Sequence, residues 1–98
     1  MTQNAERKFY RIVAYTGTGE TEIEYISTKS EDNVNAHGQD MVNELAYYCA
    51  SERFWHEAEG NESESDFLER YLEKCGFEAT EISADEYKRQ KRAIWCMS

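Results

Sequence analysis

The stretch KFYRIVAY, residues 8–15, decides the fold together with the TGTGE and TEIEYIS (21–27) that follow it. Its β-branched and aromatic residues favour a strand, and apolar side chains occur on both alternating faces, as in a central strand. TGTGE is typical of a turn, so the two strands are predicted to pair as a hairpin. The second strand alternates Glu22 and Glu24 with apolar residues, which predicts one solvent-exposed, acidic face.

Three hydroxyl residues are predicted to be helix N-caps. A carboxylate follows each of them three positions later and can accept a hydrogen bond from the backbone amide of the capping residue. They are Thr28 before Glu31, Ser63 before Asp66, and Ser83 before Glu86. The first helix should extend from about residue 31 to the mid-fifties. The second should follow an apolar stripe from Phe67 to Cys75, with Gly76 as its C-cap, and the third should span 84–95. FEATEIS (77–83) is predicted to be a third strand. The order ββααβα indicates one α+β domain over 1–98, with helices packed on one face of a small, mostly antiparallel sheet.

The long helix is predicted to bury one arc of its surface. At 100° per residue, that arc contains Val34, Met41, Val42, Leu45, Tyr48, Cys49 and Trp55. Tyr47 and Phe54 lie together roughly 100° away, and either another helix covers them or they form an aromatic patch that faces a partner. Glu52 falls near the middle of the arc, so the helix should bend near residue 51 or Glu52 should find a partner.

The charge of the chain is unevenly distributed. The net charge is −9, yet residues 12–86 contain 19 of the 20 acidic residues and only four basic ones, which leaves −15. The basic residues concentrate at the two ends, in 1–11 and 87–98. Such an acidic body repels nucleic acid and anionic lipid and attracts basic surfaces, so we expect neither nucleic acid nor a membrane as a partner. The alternative is that the acidity serves solubility alone.

Several classes of function are not expected from this sequence. No apolar run approaches the roughly 18 residues needed to span a bilayer, and the polar N-terminus has no secretory h-region, so a cytoplasmic protein is expected. The odd number of cysteines, without a C-x-x-C, favours free thiols. Cys49, Glu52 and His56 share a helix face, but a zinc site needs four ligands, so no metal and no cofactor are expected. No signature of an activated nucleophile occurs, and an enzyme is not expected.

The acidic residues around the second helix are the strongest candidates for a binding surface. On a helix, positions 62, 66, 69 and 73 share one face, where like charges destabilise the free protein by about 0.2–0.5 kcal/mol per pair. A basic partner would relieve that repulsion, and an aromatic centre would add apolar contact. The predicted partner-binding residues are Glu57, Glu59, Glu62, Glu64, Asp66, Glu69, Glu73, Tyr47, Phe54, Glu20, Glu22 and Glu24.

In size, acidity, aromatic content and sparse cysteines, the whole chain resembles small accessory proteins encoded by phages and mobile elements. These include anti-CRISPR and anti-restriction proteins, several of which mimic DNA. The resemblance involves no specific motif, and it implies an inhibitor or decoy that occupies the basic, nucleic-acid-binding surface of another protein. Two alternatives remain open: a toxin-immunity protein, which would use the same physics, and a structural or regulatory module that assembles with itself, for example as a homodimer, through the aromatic face.

Overall fold

A computed structural model describes residues 7–97 of the chain, and the side chains as far as residue 93. The elements follow the predicted order ββααβα, and the α+β fold is confirmed. They are β1 (Lys8–Tyr15), β2 (Thr21–Thr28), α1 (Glu31–Glu57), α2 (Glu64–Leu72), β3 (Gly76–Ile82) and α3 (Ala84–Met97).

The three strands form one antiparallel sheet in the order β2-β1-β3. β1 pairs with β2 as the predicted hairpin and with β3 along its other edge, so it is the central strand that its two apolar faces predict. Successive side chains of β1 point to opposite faces. Tyr10, Ile12 and Ala14 point to one face and are buried there.

α1 packs across this buried face and contacts all three strands. Val34, Met41 and Val42 of the helix join Tyr10 and Ile12 in the hydrophobic core. α2 packs against α1, and its last residue, Leu72, also reaches the core cluster. Helix and sheet approach closely where Gly38 faces β3. A side chain at residue 38 would overlap the ring of Phe77.

The other face of the sheet is covered in part by α3. The ring of Tyr87 lies 4.9 Å from that of Phe9, whose side chain alternates with those of Tyr10 and Ile12 along β1. Further along the strands, Tyr15 and Ile23 are exposed on this second face. Glu22 and Glu24 of β2 point to the opposite face, on which α1 packs. They pair in register with Ala14 and Ile12, whose side chains point to that face.

Two of the three predicted helix caps are confirmed. The Ser63 hydroxyl accepts a hydrogen bond from the Asp66 amide at 3.1 Å, and Ser83 accepts one from the Glu86 amide at 3.0 Å. The first cap was assigned to the wrong residue. Ser30 caps α1, because β2 continues through Thr28, which is buried and bonds to the Ser30 amide at 3.2 Å.

Gly76 does not terminate the second helix, contrary to the sequence prediction. The helix ends at Leu72 with Glu73 as its C-cap, and Gly76 is the first residue of β3, paired with Tyr15 of β1. A side chain at residue 76 would come within 2.6 Å of the Tyr15 hydroxyl. The glycine is needed because an aromatic ring from the neighbouring strand lies over it.

The predicted buried arc of α1 is wrong at two aromatic residues. Tyr48 is 65% exposed and Trp55 is 81% exposed. The buried residues of α1 are Val34, Gly38, Met41, Val42, Ala46, Cys49 and Ala50. Four of them, Gly38, Ala46, Cys49 and Ala50, are small. Hydrophobicity gives these small residues little weight, but they allow the helix to approach the sheet closely. Glu52 is consequently exposed, and α1 continues past residue 51 as one helix, so neither a bend nor a buried partner is required.

Candidate functional site

A groove of about 250 Å³ lies between α1 and α2. The residues that line it come from one face of each helix: Tyr47, Ala50, Ser51, Phe54, Glu64, Ser65 and Leu68. On α1 their spacing is i, i+3, i+4 and i+7, which places them side by side. The groove therefore brings both aromatic residues singled out by the sequence next to the acidic segment.

The floor of the groove rests on a layer of aromatic rings. Phe54 meets Phe67 of α2 edge to face, with 5.8 Å between ring centroids. Phe67 is only 2% exposed, and the Arg70 guanidinium lies 5.1 Å above its ring. Burying a side chain of this size contributes about 1.5–3 kcal/mol to stability, so the two helices hold each other firmly.

The two aromatic residues of the groove differ in exposure. Phe54 is half-buried against α2, whereas Tyr47 is 64% exposed at the edge of the groove. Of the two interpretations offered by the sequence, cover by a neighbouring helix is confirmed for Phe54, and contact with a partner stays a prediction for Tyr47. A neighbouring helix covers Phe54, and the Tyr47 ring is free to contact a partner.

Glu62 does not belong to the acidic face of the second helix, contrary to the sequence prediction. It precedes the Ser63 cap and receives two hydrogen bonds of 2.9 Å from the Arg70 guanidinium and one of 3.0 Å from the Glu59 amide. These bonds, chiefly those from Arg70, lower the pKa of Glu62 from 4.5 to about 2. Glu62 thus fixes the loop to α2, and its charge is already neutralised by Arg70.

Five exposed carboxylates remain around α2. Within residues 7–93, no ion pair is formed by Glu59, Glu64, Asp66, Glu69 or Glu73. The segment 57–73 contains seven acidic residues and one arginine, a net charge of −6. Glu64 and Asp66 lie in the first turn of α2, where the helix dipole favours negative charge. Glu69 and Glu73 lie at its C-terminal end, where the dipole disfavours it.

Glu57 also has a partner within the chain. Arg53, one turn earlier on α1, donates a hydrogen bond of 2.7 Å to the Glu57 carboxylate. The second arm of the same guanidinium reaches Glu20 in the β1–β2 turn at 3.0 Å. Arg53 thus pairs with two of the predicted binding residues, compensates one of their two charges and connects the turn to the helix.

Glu20 lies in a network of hydroxyl donors and is not free to meet a partner. Its carboxylate accepts hydrogen bonds from Thr16 at 2.6 Å, from Thr18, from Tyr71 at 3.4 Å and from Arg53. These bonds, led by those from the two threonines, lower the pKa of Glu20 to about 2. The network holds the hairpin turn against α1 and α2.

The structure does not bring the hairpin glutamates to the groove. Glu20 lines a separate cleft with Tyr48, Cys49, Glu52 and Arg53, on the side of α1 opposite to Tyr47 and Phe54. Glu24 is bound to His37 of α1 at 2.7 Å. Of the three hairpin residues predicted to bind a partner, only Glu22 has no bonded side-chain partner among residues 7–93.

Sequence analysis overlooked the roles of Arg53 and Arg70. The spacing of Arg53 and Glu57, i and i+4, was a readable signal for one ion pair. The bonds from Arg53 to Glu20 and from Arg70 to Glu62 join residues far apart in sequence, and no local pattern indicates them.

Two further features of the described residues bear on chemistry. Cys49 and Cys75 are free thiols, and burial raises the pKa of each; the side chain of Cys96 lies outside the described residues. Over the side chains that the structure describes, no cluster of three or more His, Cys, Asp or Glu residues is arranged to hold a metal ion. None of the described helices has both the length and the apolar character needed to cross a membrane.

In comparisons with known proteins, no family model, curated protein or solved structure matches this chain.

Proposed function

We propose that the protein is a non-enzymatic inhibitor or decoy that binds a basic surface of a nucleic-acid-handling protein. The observation that supports this proposal most is the apolar α1–α2 groove beside five exposed carboxylates that have no ion-pair partner among the described side chains. Glu64 lines the groove, and the other four lie elsewhere around α2. We refer to Glu59, Glu64, Asp66, Glu69 and Glu73 as the free acidic rim.

The two parts of the groove would contribute differently to binding. The acidic rim attracts a basic partner over about 8 Å, the Debye length at physiological salt, and sets the association rate and the choice of partner. The Tyr47 ring and the groove floor supply apolar contact, which charge alone does not provide. The same charge repels duplex nucleic acid, so the partner's surface and not its nucleic acid is the target.

Capture experiments with a matched pair of variants test this proposal. The rim variant neutralises four carboxylates, as Glu64→Gln, Asp66→Asn, Glu69→Gln and Glu73→Gln. The control variant removes the same charge elsewhere, as Glu31→Gln, Glu78→Gln, Glu81→Gln and Asp85→Asn, all at exposed positions.

The proposal expects a nucleic-acid-binding protein to be retained by immobilised wild type and by the control variant but not by the rim variant. The association rate of the purified pair should fall steeply with ionic strength. If the rim variant retains the same protein as strongly as wild type in low salt, the acidic rim is only a solvated surface. A captured toxin in place of a nucleic-acid-handling protein would favour the immunity function.

Self-assembly is a second candidate, favoured by a different surface. Tyr15 and Ile23 are exposed on the face of the sheet that α3 leaves open beside Val13. A second copy packed on this face would bury them. Sedimentation equilibrium of wild type and an Ile23→Thr variant separates the candidates, because a dimer that dissociates in the variant supports self-assembly.

A further inference from the structure

The solvent face of α1 carries an aromatic and acidic stripe, which consists of Tyr48, Glu52 and Trp55. These residues are spaced i, i+4 and i+7, so they follow one another along the helix over about 10 Å. Both rings are largely exposed, Trp55 at 81%. Large aromatic residues exposed together on one helix face are characteristic of interfaces rather than of inert surface.

The stripe is held in place by its neighbours. The Trp55 ring meets Phe54 edge to face, with 5.2 Å between centroids, while most of the indole stays exposed. The negative charge of Glu52, one turn later on α1, raises the pKa of Tyr48. Tyr48 and Glu52 also line the cleft of about 310 Å³ beside Cys49 and Arg53. The carboxylate is thus set between two rings, one turn from each.

We propose that this stripe binds an arginine side chain of a basic partner, with the guanidinium stacked on Trp55 and paired with Glu52. A guanidinium is planar and weakly hydrated, so it can stack on a ring and donate hydrogen bonds to a carboxylate in the same plane. Trp is the best ring for such a contact with a cation. The proposal rests on the proposed function, because it specifies the chemistry by which the basic partner is recognised.

Two other occupants are less compatible with the charge and geometry. A lysine ammonium is a compact, strongly hydrated charge that gains less from the ring faces. A second copy of this chain would bring another net charge of −9 against Glu52 and the neighbouring acidic residues.

The test compares hexa-arginine with hexalysine, two peptides of equal length and formal charge, by calorimetry in low salt. Wild type should bind hexa-arginine about two- to fivefold more tightly than hexalysine, the range expected for an exposed cation–ring contact. The indole N–H resonance of Trp55, assigned by its loss in Trp55→Phe, should shift with hexa-arginine. Trp55→Ala and Glu52→Gln should each abolish the preference for arginine while leaving the affinity for hexalysine within twofold.

Equal affinities of the two peptides for wild type would overturn the proposal, as would a preference for arginine that survives Trp55→Ala. A dimer of wild type that dissociates in Trp55→Ala would overturn it as well, because the stripe would then be a contact between copies. Asn35→Ala, at an exposed position of α1 away from both the stripe and the groove, is the control and should keep the arginine preference. The two proposals can fail separately. Loss of the arginine preference would leave the proposed function standing, because that function is tested by the rim variant. A rim variant that still captures its partner would likewise leave the arginine preference unaffected.

Discussion

The ring of Phe77 in β3 lies directly on Gly38 of α1. A Cβ atom on residue 38 would come within 2.8 Å of Phe77 Cγ and closer still to other carbons of that ring. Gly38 is buried, and the contact is where the long helix meets the third strand. A glycine that sequence rules treat as a weak point of the helix is therefore the position that permits close packing.

Gly38→Ala should destabilise the protein by about 1–3 kcal/mol, the usual cost of overpacking a close contact. Helix propensity alone predicts the reverse, a gain of up to about 1 kcal/mol. Urea unfolding followed by circular dichroism distinguishes the two. Asn35→Ala, at an exposed position of the same helix, is the control and should be neutral or slightly stabilising. A Gly38→Ala variant more stable than wild type would show that the helix and β3 are not packed as described.

The aromatic residues of α1 and α2 should differ sharply in their effect on stability. Phe67→Ala should cost about 3–5 kcal/mol, because it removes a fully buried ring between the helices. Tyr47→Ala and Trp55→Ala should change stability by no more than about 0.5 kcal/mol, because both rings are mostly exposed. The midpoints of urea unfolding measure these differences. A large loss of stability in Trp55→Ala would place that ring in the core and remove it from the binding stripe.

Stability should decline in acid because of Glu20 and Glu62. The pKa of each is lowered from 4.5 to about 2 in the folded protein, so each group adds stability above its unfolded value. That stability is lost as the pH falls from about 4.5 through about 2. Urea midpoints measured between pH 2 and pH 7 should show this decline.

A double variant, Glu20→Gln with Glu62→Gln, should be less stable than wild type at pH 7 and should lose less on acidification. Neutralising Glu78 and Glu81, two exposed glutamates of β3, is the matched control and should preserve the acid-dependent decline. An unchanged acid slope in the double variant would mean that the bonds to Thr16, Thr18 and Arg70 do not hold these carboxylates in solution.

Cys49, which is buried, and Cys75, which is half-buried, should react slowly with alkylating reagents. Burial raises the pKa of Cys49 and of Cys75, so both remain protonated at pH 8, and the thiolate is the reactive form. Iodoacetamide labelling at pH 8, followed by peptide mass mapping, should give much slower labelling of both residues than in urea. Equal rates with and without urea would show that the two thiols are accessible and ionised in the folded protein.

Local pattern was sufficient to predict the elements and their order. The alternation in KFYRIVAY indicated a central strand, and the serines at 63 and 83 indicated two helix starts, because strand periodicity and helix capping depend only on residues a few positions apart. Charge was equally evident, since it is a sum over the sequence. The proximity of Tyr47 and Phe54 on one side of α1 also follows from helical periodicity alone.

The sequence predicted the burial of Val34, Met41, Val42 and Cys49 on α1, but only the tertiary structure decided where the buried arc ends. Small residues such as Gly38, Ala46 and Ala50 lie on the buried arc, because the helix must approach the sheet closely, and the larger Tyr48 and Trp55 are displaced to solvent. The identity of the free carboxylates was decided in the same way. Folding brings Arg53 to Glu20 in the hairpin turn and Arg70 to Glu62 in the loop before α2, and only the pair of Arg53 with Glu57 is local to one helix. Sequence determines how many charges the protein carries, but only the packing of α1, α2 and the hairpin determines which of them remain available to a partner.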